Sequence, residues 1–297
     1  MVGFPCHSDV PFASLLRLCK DIPLLFDPLV SLHDSNVLDR GTVRRYSPRA
    51  LFYFMQDLIA CRLASAILLD TQAHIDYFVQ AFATPREKFH RLWVGSDDES
   101  LRATTSPVKR PRFTVGFWGT FIPLQGIEFI VEAARILQAR AEPVDFILIG
   151  RGQTRGEIES QARRHPLPNL VFEEPVPYSE LPELAASFDV CLGIFGATAK
   201  ASRVIPNKVF EALALGRPTL TSESPAIREA LVHGHDVWLC RPASAESLAD
   251  AIVHLKSDGD LRARLACNGL ATFRAKFSLE ALTDELTRIV RQVLERG

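Results

Sequence analysis

Phe113-Thr114-Val115-Gly116-Phe117-Trp118-Gly119-Thr120-Phe121-Ile122-Pro123-Leu124-Gln125-Gly126 begins the stretch that decides the fold. Its opening run, Phe113–Trp118, has the short, mostly apolar character of a buried strand and stops at Gly119. Over Gly126–Ala139 the residues Ile127, Ile130, Val131, Ala134 and Leu137 recur at helical spacing, and Asp145–Ile149 is a second apolar run closed by Gly150. Strand, helix and strand in that order form a parallel unit, because parallel neighbours need a crossover and a helix supplies it.

The same alternation runs outward in both directions. Before it, Met1–Phe4, Pro23–Val30, Ala66–Leu69 and Phe89–Val94 are expected strands; after it, Leu170–Phe172, Val190–Ile194, Pro218–Thr221 and Val237–Leu239. These runs are continuous rather than alternating, which fits sheets covered by helices on both faces. Pro48–Leu63, with Leu51, Phe52, Met55, Leu58, Ile59 and Leu63 at helical spacing, is an expected covering helix. Leu279–Leu294, entered after Ser278 and carrying Leu282, Leu286, Ile289, Val290 and Val293, is an expected closing helix.

Between Ser100 and Arg112 the periodicity lapses into Ser, Thr, Lys, Arg and Pro, the mark of a linker. The fold class is therefore α/β with two doubly wound domains, 1–105 and 106–277, and a closing helix over 278–297. The 297 residues, 47% hydrophobic and 23% charged, suit two globular domains. With 34 Lys+Arg against 35 Asp+Glu, the charge balance argues against an open nucleic-acid-binding face. Six cysteines without CxxC or zinc-type spacing read as free buried thiols of a reducing compartment. With no apolar run of membrane-spanning length and no basic, apolar leader, the expected location is cytoplasmic. Arg44, Arg45 and Arg49, beside Tyr46 and Phe52–Phe54, have two readings: a solvated face, or peripheral contact with anionic headgroups at the inner face of the membrane.

Ligands of open α/β sheets sit beyond the carboxyl ends of strands, so chemistry is expected in the loops there. Gly119 to Gly126 offers two glycines and then a helix start that favours an anion. Gly150-Arg151-Gly152 is a second tight turn, one residue off the dinucleotide fingerprint. The third loop leads into Pro206-Asn207-Lys208-Val209-Phe210-Glu211-Ala212-Leu213-Ala214-Leu215-Gly216. Pro206 suits the helix start, Asn207 and Lys208 its first turn, and Gly216 a left-handed stop. Lys208 offers an ammonium to an anion there, and Glu211 can accept from vicinal hydroxyls such as a ribose; the alternative is a surface ion pair between these two residues at i, i+3.

In order and spacing, the segment from about Arg112 to Arg291 resembles the donor-binding domain of group 1 (family 4) glycosyltransferases. The residues that carry the likeness are the Gly119…Gln125-Gly126 turn, Leu148-Ile149-Gly150-Arg151-Gly152, Asn169–Phe172 with Val176-Pro177-Tyr178, Phe188-Asp189-Val190, and Pro206–Ala212 followed by Gly216-Arg217-Pro218. The resemblance implies the GT-B fold of two Rossmann-like domains and transfer of a sugar from a nucleotide-diphosphate donor to a hydroxyl of a glycan or lipid-linked acceptor, in glycan or glycolipid synthesis. It also implies retention at the anomeric carbon and no cofactor or metal, because helix dipole and basic side chains hold the diphosphate.

On that likeness, Glu211 corresponds to the second Glu of the family's E-x7-E motif, which holds the ribose. Asn207 and Lys208 take helix-start positions that meet the donor, and Val176 and Tyr178 mark the loop near the base. Two departures stand out: Thr120 and Gln125 replace the usual Arg and Lys of the first loop, and Arg203 replaces the first Glu of E-x7-E. Arg203, Lys200 and Lys208 are then candidates to supply the missing positive charge. In the first domain, Pro23–Asp34, Ser65–Phe82 and Val94-Gly95-Ser96-Asp97 resemble the later part of the acceptor domain, which implies that its opening strands are lacking and that Met1–Phe4 is an interior strand. His33, beside Asp34, would then be the catalytic imidazole near the transferred sugar; otherwise it is a loop histidine bonded to Asp34. The departures leave two other readings, a non-catalytic nucleotide-binding remnant and a sugar-nucleotide epimerase of the same shape.

Overall fold

The computed structural model describes residues 1–20, 22–101 and 110–296, with the side chains of Leu18, Cys19 and Arg296 left aside. The expected division between 105 and 106 lies outside the described residues. The chain forms two compact units: Met1–Val94 with Ser202–Ile205 and Glu280–Gly297, and Gly95–Ala201 with Pro206–Leu279. Both are parallel α/β layers. Among the described residues no helix is long and apolar enough to cross a membrane.

The first unit runs β1 (Val2–Gly3), α1 (Val10–Lys20), β2 (Leu25–Asp27), a π-helical turn Asp34–Asp39, α2 (Pro48–Leu63), β3 (Ala66–Leu69), α3 (Gln72–Phe82) and β4 (Phe89–Arg91). Its sheet is parallel in the order β1-β2-β3-β4. β3 shows why the sequence runs are continuous. Successive strand side chains point to opposite faces, and here both faces are covered. Ile67 and Leu69 join Phe26, Phe78 and Phe82 beneath α1, α2 and α3. Ala66 and Leu68 join Leu25 on the other face, against Ile289 and Val293 of the last helix. Ser47 caps α2 by accepting from the Ala50 N–H, with Pro48 at the first helical position.

The second unit runs β5 (Phe113–Trp118), α4 (Ile127–Ala139), β6 (Val144–Ile149), α5 (Arg155–Arg164), β7 (Leu170–Glu173), α6 (Leu181–Ala186), β8 (Val190–Leu192), α7 (Asn207–Ala214), β9 (Thr219–Ser222), α8 (Pro225–Ala230), β10 (Trp238–Cys240), α9 (Ala245–Ser257) and α10 (Gly259–Lys276). The last helix, α11 (Leu279–Arg296), returns to the first unit. The second sheet has the order β10-β9-β8-β5-β6-β7, all parallel. The chain moves from β5 outward to β7, then crosses back to β8 on the other side of β5. That reversal is the topological switch point, where open α/β sheets form a crevice.

Cys61, Cys191 and Cys240 are buried, but Cys6 and Cys267 are exposed, which corrects the expectation of uniformly buried thiols; all five are free.

Candidate functional site

The crevice carries a pocket of about 350 Å³ lined by the ends of β5 and β6, the loop after β7 and one residue of α7. Backbone hydrogen bonds hold its floor past the strand ends: Gly119 N–H donates to Ile149 O at 2.9 Å, and Phe121 N–H to Arg151 O at 2.8 Å. Gly150 makes this possible. It sits at φ +144°, and a Cβ there would lie 1.8 Å from the Gly119 carbonyl oxygen. Two loops can touch at that point only because neither brings a side chain.

The pocket brings together Gly119, Thr120, Gly150, Val176, Tyr178 and Glu211 from the residues singled out in the sequence. It adds Arg151 of the Gly150-Arg151-Gly152 turn, and Trp118, Ile149, Pro175 and Leu181, which were not singled out as site residues in the sequence. Trp118 is the consequential one. Its indole N–H donates to Glu211 Oε2 at 2.6 Å, fixing a carboxylate that is otherwise carried one turn into α7. Burial pushes the Glu211 carboxyl above the usual range, while the indole hydrogen bond and Lys208 pull it back. A large aromatic residue at the carboxyl end of a strand, just before a glycine, was the available signal. Arg151 at the rim pairs with Glu174, and the Tyr178 hydroxyl lies 3.2 Å from Ser96 Oγ.

Helix α7 starts as its sequence predicts: Pro206 is the extended N-cap residue, Asn207 follows exposed in the first turn, and Gly216 takes φ +61° after the last turn. Lys208 does not form the i, i+3 ion pair with Glu211. It is buried, donates to Gln125 Oε1, and stands 4.5 Å from the Phe117 ring centroid. Gln125, one of the departures from the family pattern, is therefore the acceptor that holds the lysine. Burial lowers the pKa of the Lys208 ammonium to about 7, partly offset by Glu211. Its Nζ is 3.0 Å from where a Cβ on Gly119 would be, so the absent side chain leaves the amine behind the pocket wall. Lys200 is also buried, in the short 3-10 turn Ala199–Ser202.

His33 and Arg203 belong to the first unit. The Arg203 guanidinium donates to Asp34 Oδ1 at 2.7 Å and lies 4.1 Å from the Tyr77 ring centroid, and its carbonyl accepts from Thr71 Oγ1. Its positive charge is thus matched within that unit by a carboxylate that is almost wholly buried. His33 stands at the start of the π-helical turn with its ring edge-to-face against Phe54, at 5.6 Å, and its backbone N–H goes to Asp57. Asp57 was not foreseen. This buried carboxylate accepts from Ser31 Oγ, Leu32 N–H and His33 N–H at 2.7 to 3.0 Å, and so sets the loop that carries His33. Burial pushes the Asp57 carboxyl above the usual carboxylate range, and those three donors oppose the shift.

A parallel doubly wound sheet with its pocket at the switch point, and a second parallel α/β unit in the same chain, is the architecture of GT-B enzymes. Residues 112–258 match the family model described as Glycosyl transferases group 1. The chain is 24% identical over 296 residues to the alpha-D-kanosaminyltransferase of Streptomyces kanamyceticus, covering 94% of this chain and 73% of that protein. Other curated relatives are matched over about half their own length or less. Among solved structures, Anabaena Alr3699/HepE in complex with UDP-glucose superposes with a TM-score of 0.75 at 19% identity, over 96% of this chain and 77% of that one. Sucrose-phosphate synthase from Thermosynechococcus elongatus does so at 0.80 and 17%, over 98% and 73%. At these identities the structural likeness shows the fold. Over residues 112–258 the chain thus matches the group 1 glycosyltransferases, a family of sugar-transferring enzymes, and its relatives include glycosyltransferases of polysaccharide biosynthesis.

Proposed function

We propose that this chain moves a sugar from a nucleotide-diphosphate donor to a hydroxyl of a glycan or lipid-linked acceptor, with retention at the anomeric carbon and without a metal ion. The observation that carries the reading is the Glu211 carboxylate, held by Trp118 in the wall of a pocket at the switch point. One carboxylate oxygen takes the indole, and the other is available for the vicinal hydroxyls of a ribose. The apolar walls Val176, Leu181 and Ile149 suit a base, and the Gly119–Gly150 turn lets a diphosphate approach backbone. Lys208 and the first turn of α7 would then stabilise charge on the leaving diphosphate. His33, in the first unit, is the proposed group near the transferred sugar. The bound UDP-glucose of Alr3699/HepE supports a donor of this class.

Incubation with a panel of nucleotide sugars tests the reading through nucleotide release and product anomer, with and without chelator. Transfer with retained configuration that survives chelation is the expected result; failure to bind any nucleoside diphosphate overturns it. Binding without turnover would favour the nucleotide-binding module instead. One observation favours that second reading: Lys208 and Arg203, two candidate cations for the diphosphate, already have partners in Gln125 and Asp34.

The ribose assignment has its own check. The parent protein should prefer a nucleoside diphosphate over its 2′-deoxy analogue by about tenfold, the worth of a hydrogen bond to a charged group, and Glu211→Ala should erase the preference. An undiminished preference in the variant would remove Glu211 from the ribose.

A further inference from the structure

The outer faces of α1 and α2 break a rule that their neighbour α3 obeys. All three helices bury one side in the core around Phe26, Ile67 and Phe78. Helix α3 turns Gln72, Asp76 and Gln80 outward at four-residue spacing, as expected of a helix between core and water. Helix α2 instead exposes Phe52, Met55 and Ile59 along one stripe running from Pro48 to Arg62, with Leu51 beside it. Exposure runs from 38% at Met55 to 62% at Leu51, so these side chains are not fringes of the core. Helix α1 does the same with Phe12, Leu15 and Leu16, and Tyr46, on the loop entering α2, is 94% exposed. Since both helices bury their opposite sides in the same core, the bare faces look away from the sheet on the same side. So many exposed large apolar side chains on two helices that pack side by side are unusual on a protein with no use for them.

Past the exposed Asp9 that precedes α1, the charge on these two segments is of one sign at the surface. Residues 40–63 carry Arg40, Arg44, Arg45, Arg49 and Arg62 against a single carboxylate, Asp57, which is buried; residues 10–20 carry Arg17 and Lys20 and no carboxylate. Arg44, Arg45 and Arg49 gather at the start of α2. Arg62 lies near its end, where Arg17 donates to the Leu63 carbonyl. The whole chain is near neutral, so this excess is local. A second copy of the same face would bring the same cations against these, which disfavours self-association. A surface that is apolar below and anionic above matches both features.

We propose that the α1/α2 face of the first unit rests on an anionic lipid bilayer, its aromatic and aliphatic side chains at the acyl boundary and its arginines on lipid phosphates. The exposed apolar side chains of α2, Leu51 to Ile59, extend about 12 Å at 1.5 Å per residue, far too short to span a hydrocarbon core of about 30 Å but suited to lying in the interface. None of these residues lines the donor pocket, so the lipid contact stands or falls apart from the transferase reading.

Cosedimentation of the full chain with vesicles tests it. Phosphatidylcholine vesicles carrying phosphatidylglycerol should pellet the protein, pure phosphatidylcholine vesicles should not, and added salt should release it. The double variant Arg44→Gln/Arg45→Gln should lose roughly thirtyfold in affinity, from the worth of each basic residue near such a surface. Phe52→Ser/Ile59→Ser should lose at least about tenfold. These side chains are exposed, so the unfolding midpoint should stay at the parent value; if a variant does not fold, the lipid and salt series on the parent still decides. No pelleting with the anionic vesicles, equal pelleting with both kinds, or folded variants that bind like the parent would overturn the proposal. So would a parent dimer that Phe52→Ser/Ile59→Ser converts to monomer.

Discussion

Lys208→Met should weaken nucleoside-diphosphate binding about a thousandfold, the cost of truncating one partner of a buried charge pair. The amine lies 3.0 Å from where a Cβ on the pocket residue Gly119 would be, so the missing side chain leaves it next to the pocket wall. Because burial holds its pKa near 7, the free protein at higher pH carries a largely neutral amine there. A bound diphosphate favours the charged form, so binding takes up a proton. Affinity should therefore be level below about 7 and fall as pH rises above it, by up to about tenfold per pH unit. Titration calorimetry at pH 8 in buffers of different ionisation enthalpy should show proton uptake by the parent and none by Lys208→Met.

The same group has a signature without ligand. Between about 7 and 10.5 the unfolded chain keeps a proton on this lysine that the fold has released, so the fold gains stability as pH rises and loses it as pH falls. The parent should gain on the methionine variant through that window, by at most ~1.4 kcal/mol per pH unit. A parent and variant with parallel pH profiles, and equal diphosphate affinity, would show that the amine is neither buried uncharged nor part of the donor site.

The largest loss of stability is expected from Asp57→Ala, about 4 kcal/mol, because a buried carboxylate with three donors leaves all of them without an acceptor when removed. Asp57→Asn, which keeps one acceptor oxygen, should fall between parent and alanine variant. Denaturant unfolding gives both values, and a loss below ~1 kcal/mol for alanine would mean the Ser31–His33 loop does not depend on this residue. The loop also carries His33, so Asp57→Asn should lower turnover more than donor affinity, the donor pocket being in the other unit. Unchanged turnover in a folded variant would separate His33 from the chemistry.

Most of the layering was legible because it is local. Continuous apolar runs named β3 and β5 residue for residue, and the apolar periodicity named α2 just as well. Pro206 and Gly216 bounded α7 because their backbone constraints act where they stand. What escaped were pairings between distant parts of the chain. Trp118 and Glu211 are 93 residues apart, Lys208 and Gln125 83, and Arg203 and Asp34 169. Periodicity carries no information about such partners. The alternative reading of Lys208 as a surface partner of Glu211 at i, i+3 fails because the fold buries the lysine. On α2 the apolar periodicity gave the helix but mostly the wrong covering residues: of the six named for it, only Leu58 and Leu63 pack against the core. Phe54 and Leu58 pack against the core there, with Ala60 and Cys61 fully buried, while Leu51, Phe52, Met55 and Ile59 face water.

The placement of α11 sets the order in which the molecule can be completed. Synthesis delivers the first unit's strands early, yet one face of that sheet, with Leu25, Ala66 and Leu68, meets Ile289 and Val293 from α11. The second unit, which ends at Leu279, has all its own strands before then. A nascent chain should therefore finish its later half first and hold its earlier half open until α11 emerges from the ribosome. Through that interval the apolar underside of the first sheet is a natural target for chaperones.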